Sequence, residues 1–142
     1  MKTVALRFAD NFAPDSGTIA EHKIILKEFG YVWYGKLGTP ISKIIAQQIL
    51  NNKEKRILLI HSGSVRRYWA YVDMIQRDIP DKNAIPKYYR NMAESFNTWF
   101  PITKIEDAPK DILSRCIVAS SGSTLSQASK HSMSPYFIIE TE

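Results

Sequence analysis

Short runs of apolar residues, separated by polar turns, predict several strands along this chain. Residues 3–8 place apolar side chains at every second position, which is the period of a half-buried strand. Residues 56–76 contain two extended runs joined by a small polar turn, and this order predicts a hairpin. Pro101 places a later strand at a sheet edge or a bulge, because proline cannot donate a backbone hydrogen bond. Further strands are predicted where branched and aromatic residues concentrate, at residues 31–35, 97–105 and 136–140.

Two helices are predicted in the first third of the chain. Thr18 and Glu21 have the spacing of a capping box, in which each side chain accepts a hydrogen bond from a free backbone N–H. Thr39 and Pro40 predict the start of the second helix, because proline is favoured at the first helical position. Apolar residues at helical spacing continue this second helix to about Leu50.

The order of these elements favours an α+β fold. Short helical turns are expected within residues 78–91, 112–118 and 125–131, but strands dominate the second half of the chain. We therefore expect a small curved mixed sheet or pseudo-barrel with two or more helices packed on it. The chain has 142 residues and no low-complexity linker or repeat, which predicts a single domain over residues 1–142.

Composition narrows the classes of partner and compartment. A formal net charge of +5 favours a polyanionic partner, such as nucleic acid or a nucleotide. The single cysteine, Cys116, excludes an internal disulfide and a cysteine-based zinc site. Acidic residues and histidines lack metal-ligand spacing, so we expect neither a metal nor another cofactor. No stretch has the length of a membrane span and the N-terminal apolar run is too short for a signal peptide, which predicts a cytoplasmic protein.

The turn of the predicted hairpin carries groups that can bind a nucleotide. His61 and Ser62 end its first strand, where imidazole and hydroxyl groups can read a base edge. Arg66 and Arg67 follow, and guanidinium groups bind phosphate through paired hydrogen bonds. An alternative stays open, in which these residues only shape a solvated turn.

Large aromatic residues supply ring faces for stacking. Alternation along the second strand of the hairpin puts Trp69 and Tyr71 on one face and Tyr68 on the other. We expect Trp69 to face the ligand and Tyr68 to pack, although aromatic residues of this kind also form ordinary cores. An extruded base stacks between such rings, which contributes about 1–3 kcal/mol per base. The aromatic candidates come from three predicted strands: Trp33, Trp69, Tyr71 and Trp99.

A serine-rich segment near the C-terminus provides a second candidate for anion binding. Ser121 and Ser123 precede a short predicted helix, and free N–H groups at a helix start bind phosphate. Lys130 adds positive charge nearby. The segment lacks the spacing of a nucleotide-binding P-loop, and a plain surface loop is the alternative.

The order of short motifs resembles that of the EVE domains in the PUA-like superfamily. The motifs are YVWYG, RILLIHSG, RRYWAYVDMIQRDIPD and NTWF, which together span roughly residues 31–105. This resemblance implies a pseudo-barrel whose mouth binds a nucleobase, often modified, in RNA or DNA. Residues 8–30 and the serine-rich tail depart from the pattern, which leaves the ligand and the pocket floor open.

These observations combine into one expected binding site without catalytic residues. A base is expected among Trp33, Trp69 and Trp99. His61 and Ser62 are then expected to read the edge of the base. The residues expected to bind phosphate are Arg66, Arg67 and Lys130.

Two other classes of function stay open. His61 and His131 are each followed by serine, and paired histidines can cleave phosphodiesters as general base and acid. Two-histidine phosphodiesterases usually carry a hydroxyl two positions after each histidine, where this chain has Gly63 and Met133. The third class is a phage or host counter-defence factor that binds a protein partner through residue types enriched in interfaces, here Tyr88, Tyr89 and Arg90.

Overall fold

The computed structural model describes residues 1–11 and 13–141 and confirms the α+β class. In these residues it contains seven strands: β1 (Lys2–Phe8), β2 (Val32–Lys36), β3 (Arg56–His61), β4 (Arg67–Val72), β5 (Thr98–Asp107), β6 (Ile117–Val118) and β7 (Tyr136–Glu140). The same residues contain five α-helices: α1 (Thr18–Phe29), α2 (Lys43–Asn51), α3 (Lys87–Arg90), α4 (Ile112–Arg115) and α5 (Leu125–His131). Two short 3-10 helices, Lys82–Ala84 and Ala93–Ser95, flank α3. None of the helices in the described part has the length and apolarity needed to cross a bilayer.

The strands form one mixed, strongly curved sheet. Its strand order is β2-β5-β4-β3-β1-β7-β6, with β1 parallel to β3 and the other neighbouring pairs antiparallel. The ammonium nitrogen of Lys36 in β2 lies 4.2 Å from the ring centre of Tyr136 in β7. Because four strands separate β2 from β7 in the sheet order, this contact requires the sheet to curl towards a barrel.

Helices cover both faces of the sheet. On one face α1 and α2 contribute Ile25 and Ile49 to a large apolar cluster. On the other face α4 and α5 contribute Ile112 and Leu125 to a second, smaller cluster. The sheet is therefore buried on both sides, which explains why β3 is apolar over four consecutive buried positions instead of alternating.

The start of α1 differs from the predicted capping box. Gly17 precedes the helix and Thr18 is its first residue, so the hydroxyl of Thr18 caps no helical N–H. The backbone amide of Thr18 donates instead to Oδ1 of Asp10, at 2.9 Å. Glu21 accepts a hydrogen bond from the hydroxyl of Ser16, at 2.8 Å. The capping residue thus comes from a loop eight positions earlier, which local spacing cannot reveal.

The start of α2 also differs from the prediction. The helix begins at Lys43, and the hydroxyl of Ser42 accepts a hydrogen bond from the amide of Ile45, at 3.2 Å. The predicted start at Pro40 is wrong because the preceding backbone is held by other elements. In particular, the amide of Ile41 donates to Oγ1 of Thr98, at 3.2 Å.

Pro101 lies in an interior strand and not at a sheet edge. β4 pairs with β5 only as far as Ile102, and a bulge shifts the register at the end of β4. The amide of Trp99 donates to Gln76 on this side of β5, and alternation points position 101 to the same side. The missing N–H of Pro101 therefore falls where the ladder is interrupted, as the bulge alternative predicted.

Gly35 in β2 is required by a close aromatic packing. A Cβ atom at this position would lie 2.5 Å from Cγ of Phe96, whose ring packs against Tyr89 and Trp99 with centroids 4.6 and 5.3 Å away. We expect Gly35→Ala to lower the free energy of unfolding by about 1–3 kcal/mol, because Phe96 must leave its packed position. Urea denaturation followed by circular dichroism measures this change.

Gly63→Ala is the matched control. A Cβ atom at Gly63 would meet its nearest neighbour, Cε1 of His61, at an ordinary 3.5 Å. Its effect should stay within about 0.5 kcal/mol. Equal stability of the two variants would show that Phe96 does not restrict position 35.

Candidate ligand pocket

The three tryptophans do not surround one open pocket. Trp33 and Trp99 belong to the larger apolar cluster and are 8% and 0% exposed. Trp69 belongs to the smaller, separate cluster and is 3% exposed. The predicted gathering of these rings around a common hollow is therefore not present. The reason is that the sheet has helices on both sides, so aromatic residues of either parity are buried.

Trp69 and Tyr71 share a face of β4, as predicted, but both contact other protein groups. The guanidinium carbon of Arg56 lies 4.0 Å from the centre of the Trp69 ring. The hydroxyl of Tyr71 donates to Oε1 of Glu106 at 2.6 Å and accepts from Arg56 at 3.1 Å. Tyr68 faces the other side, where it packs against the larger cluster. Trp69 thus packs in a core, and the structure does not place it at a ligand-accessible surface.

A cavity of about 230 Å³ lies instead at the seam where the curled sheet brings β2 towards β1. The first turn of α1 and the segment around α3 close it from two sides. We call it the seam cavity, and its lining is largely aromatic and apolar. The residues that line it are Leu6, Arg7, Phe8, Ala9, Asn11, Thr18, Tyr34, Gly35, Lys36, Leu37, Tyr88, Tyr89, Met92, Phe96 and Pro135.

Three tyrosines supply aromatic walls to the seam cavity. The hydroxyl of Tyr89 donates to the carbonyl of Gly35, at 3.4 Å. Burial raises the pKa of Tyr34, as does the neighbouring Tyr88. The phenol of Tyr34 therefore stays protonated at neutral pH, and a protonated phenol can donate to, or accept from, a ligand. The buried hydroxyl of Tyr88 has no hydrogen-bond partner among residues 1–11 and 13–141.

A buried histidine stands behind these tyrosines. The ring of His22 lies 5.2 Å from that of Tyr34 and 5.0 Å from that of Tyr89, between centroids. Burial lowers the pKa of His22 to about 4, against the smaller opposing effect of its bond to Thr18. Its Nδ1 lies 2.8 Å from the carbonyl of Thr18, so Nδ1 carries the proton of the neutral ring. His22 thus fixes the position of the tyrosine wall without adding charge.

Lys36 is the one lysine in the lining of the seam cavity. Its ammonium donates to the carbonyl of Leu37 at 2.9 Å and to the carbonyl of Thr39. Within the described part of the chain it has no carboxylate partner, and burial lowers its pKa. A cation at the edge of an aromatic cavity is a donor for an electronegative ligand atom.

Asp10 joins two of the predicted site residues beside the seam cavity. Its Oδ2 accepts from Nη2 of Arg66 at 2.7 Å and from Nε2 of His61 at 3.0 Å. Nδ1 of His61 accepts from the amide of Gly63, which leaves the proton of the neutral ring on Nε2. Ala9 and Asn11, on either side of Asp10, line the cavity, so His61 and Arg66 contact the loop at its mouth.

The other hairpin candidates take separate positions. Ser62 is exposed, and its amide donates to the carbonyl of Phe8 at 2.8 Å. The guanidinium of Arg67 donates to the carbonyls of Val65, Pro109 and Lys110. Arg67 therefore joins the hairpin to the loop before α4, while Ser62 adjoins the end of β1.

Ser121 and Ser123 line an open groove between α2, α5 and β7, and no residue of the hairpin turn lines this groove. This groove has a volume of about 790 Å³ and His131 also lines it. The start of α5 is capped by Thr124, whose hydroxyl accepts from the amide of Gln127 at 3.2 Å. Lys130 is exposed on the same helix. These residues are separate from the seam cavity.

The two histidines of the phosphodiesterase alternative have different surroundings. His61 contacts Asp10 and the ring of Phe8, the latter 5.1 Å away between centroids. His131 lies at the groove beside α5. Among residues 1–11 and 13–141, no group of three or more histidine, cysteine or acidic side chains is arranged to hold a metal ion.

Three residues of this site were not singled out from the sequence: Asp10, Tyr34 and Lys36. Tyr34 and Lys36 lie within or beside the YVWYG motif, where Trp33 attracted attention as the larger ring. Alternation along β2 places Tyr34 and Lys36 on the face opposite Trp33, and that face borders the cavity. Alternation along β2 could therefore have separated its two sets of side chains from the sequence. Only the curvature of the sheet shows which of these sets borders a cavity.

Asp10 makes the stability of the fold depend on pH. The amide of Thr18, helped by Arg66 and His61, lowers the pKa of Asp10 from 3.8 to about 2, although partial burial opposes this. Because the folded state favours the carboxylate, its contribution is present above about pH 4 and is lost as the pH falls towards 2. Asp10→Asn should lower the free energy of unfolding by about 1 kcal/mol at neutral pH.

Urea denaturation of both proteins at several pH values tests this expectation. The stability difference between wild type and Asp10→Asn should shrink as the pH falls below about 4. Asp15→Asn, in the same loop, is the control for an exposed carboxylate. A difference that stays constant down to the lowest measurable pH would contradict the role of the Asp10 charge.

Comparison with known proteins agrees with the curled mixed sheet. A family model described as Pua-like matches residues 4–136. This match includes most of β1, all of β2 to β6, the start of β7 and the residues that line the seam cavity. No curated protein and no solved structure gives a significant match. Because the family model covers nearly all of the 142 residues, the chain belongs to the Pua-like family.

Proposed function

We propose that this domain binds nucleic acid, or a nucleotide, by holding one base in the seam cavity. The observation that carries the proposal is the composition of the cavity wall. Five aromatic rings line it, and they are accompanied by the hydroxyl of Tyr88, which has no hydrogen-bond partner among the described residues, and by the ammonium of Lys36, which has no carboxylate partner there. Flat rings with a few directed polar groups are the usual surroundings of a bound base.

The size of the seam cavity supports a single ring as the ligand. Its volume of about 230 Å³ is below the ~300–1,000 Å³ that is typical of pockets for drug-sized molecules. A whole nucleotide would exceed this space, so sugar and phosphate groups would lie outside the mouth. Stacking on Tyr34 or Tyr88 would contribute about 1–3 kcal/mol per base.

Positive charge near the mouth supports a phosphate-containing ligand. Arg66 uses Nη2 for Asp10 and Nε for Ser64, which leaves its Nη1 donors for a phosphate. The net charge of +5 favours the approach of a polyanion. The function proposed is thus binding without catalysis. A phosphodiesterase or a protein-interaction role has no specific contact in this cavity to support it.

Within the Pua-like family, we place the chain nearest to the EVE domains. The support is the order of the motifs YVWYG, RILLIHSG, RRYWAYVDMIQRDIPD and NTWF. Through this resemblance the proposal includes modified bases among the ligands. The first motif contributes Tyr34 and Gly35 to the lining of the seam cavity, so β2 carries both a motif of the resemblance and part of the proposed site.

Tyr34→Phe tests the base site directly. Phenylalanine keeps the ring in the wall of the seam cavity, so the free energy of unfolding should stay nearly unchanged. We expect the dissociation constant for short single-stranded RNA or DNA to rise about three- to tenfold, because one hydrogen bond is lost. Fluorescence anisotropy with labelled oligonucleotides, including strands with methylated bases, measures the effect.

Tyr71→Phe is the matched control for loss of a tyrosine hydroxyl. This hydroxyl bonds Glu106 and Arg56 at a distance from the seam cavity, so its loss should cost about 1 kcal/mol of stability and leave binding unchanged. If Tyr34→Phe binds as wild type does, or if both variants lose binding equally, the seam cavity is not the base site.

The dependence of binding on salt tests whether phosphates take part. For single-stranded ligands, the logarithm of the association constant should fall linearly with that of salt concentration, with a slope near −0.7 per neutralised phosphate. Titrations at several salt concentrations give this slope. A flat response would oppose a strand as ligand and favour a small neutral molecule.

A further inference from the structure

Lys36 combines burial with an unusual set of partners. The residue is 5% exposed, although lysine is rarely buried unless an acidic group pairs with it. Its described contacts are the carbonyls of Leu37 and Thr39 and the ring face of Tyr136. None of the ion pairs among residues 1–11 and 13–141 includes Lys36.

The ammonium of Lys36 can donate one more hydrogen bond but cannot accept one. An ammonium has three N–H donors and no acceptor, and the two carbonyls take two of these donors. The carbonyls belong to the backbone that follows β2 and hold the ammonium beside it, and Lys36 is one of the residues that line the seam cavity. A ligand atom that meets the third donor must therefore be an acceptor.

We propose that Lys36 makes the seam cavity select bases that carry a keto oxygen, and not an amino group, at purine position 6 or pyrimidine position 4. This inference rests on the proposed function. Guanine carries an acceptor, O6, where adenine carries an amino donor, and uracil and thymine carry O4 where cytosine carries an amino donor. An amino group facing the ammonium would leave both donors unpaired, and a site built to donate rejects such an analogue strongly.

A phosphate oxygen is the other acceptor with the same chemistry. The lining of the seam cavity is largely aromatic and apolar, so a phosphate inside it would lose hydration with only one ammonium as compensation. A neutral keto base loses less hydration and gains stacking on Tyr34 or Tyr88. The lining of the cavity therefore favours a keto oxygen of a base over a phosphate oxygen as the acceptor. A binding experiment can distinguish the two.

The experiment uses wild-type protein and labelled single strands that are abasic except for one central base. The base is hypoxanthine, adenine, uracil or cytosine, and a fully abasic strand measures binding through phosphates alone. Hypoxanthine and adenine differ at the exocyclic position, where one has O6 and the other an amino group. We expect the strands with hypoxanthine and uracil to bind at least about tenfold more tightly than those with adenine and cytosine.

The variant Lys36→Met tests whether this side chain causes the preference for hypoxanthine and uracil over adenine and cytosine. Methionine keeps an unbranched apolar chain and removes the donors, so the preference should fall to within about twofold. Lys23→Met is the matched control, since the exposed Lys23 lies over the ring of Tyr68 and outside the seam cavity. It should keep the full preference. Should Lys36→Met fail to fold, the comparison of the four bases on wild-type protein decides by itself.

The outcomes separate this inference from the function on which it rests. Equal binding of all four bases, tighter than the abasic strand, overturns keto selection and leaves the base site in place. Binding that equals that of the abasic strand for every base overturns both. Tighter binding of adenine or cytosine, or an unchanged preference in a folded Lys36→Met, also overturns the role of Lys36.

Discussion

Burial of both faces of one curved sheet is the constraint on which this structure depends. A seven-stranded sheet with apolar residues on both sides must be covered twice, and the chain does so with α1 and α2 on one face and α4 and α5 on the other. Curling brings β2 at one edge towards β1 and β7. The seam cavity exists because these strands approach without pairing.

This constraint also explains where the large aromatic residues lie. In a sheet with one wet face, alternation would leave half of the rings available to a ligand. Here Trp69 points to one apolar cluster, while Trp33 and Trp99 belong to the other. The rings that line the seam cavity are Phe8, Phe96 and three tyrosines, and tyrosine hydroxyl groups allow these rings to lie where an apolar core meets a polar ligand or solvent.

Contacts between distant segments hold the mouth of the seam cavity in place. Asp10 connects the loop after β1 to the start of α1 and to the hairpin turn between β3 and β4. Lys36 holds the backbone after β2 and meets the ring of Tyr136 in β7. Both residues carry charge and both lie near the cavity, so the groups that support the fold here also set the electrostatics of the site.

The sequence by itself determined the α+β class, most strand positions and the face shared by Trp69 and Tyr71. These depend on local periodicity and on residue preference, which a short window of sequence contains. It also determined the basic charge and the motif order that resembles EVE domains. The tertiary structure decided which side of β2 reaches a cavity, because that depends on how far the sheet curls. It decided equally that Asp10 caps α1 and that Lys36 has no acidic partner in the described part of the chain, since such contacts depend on segments that no local pattern relates.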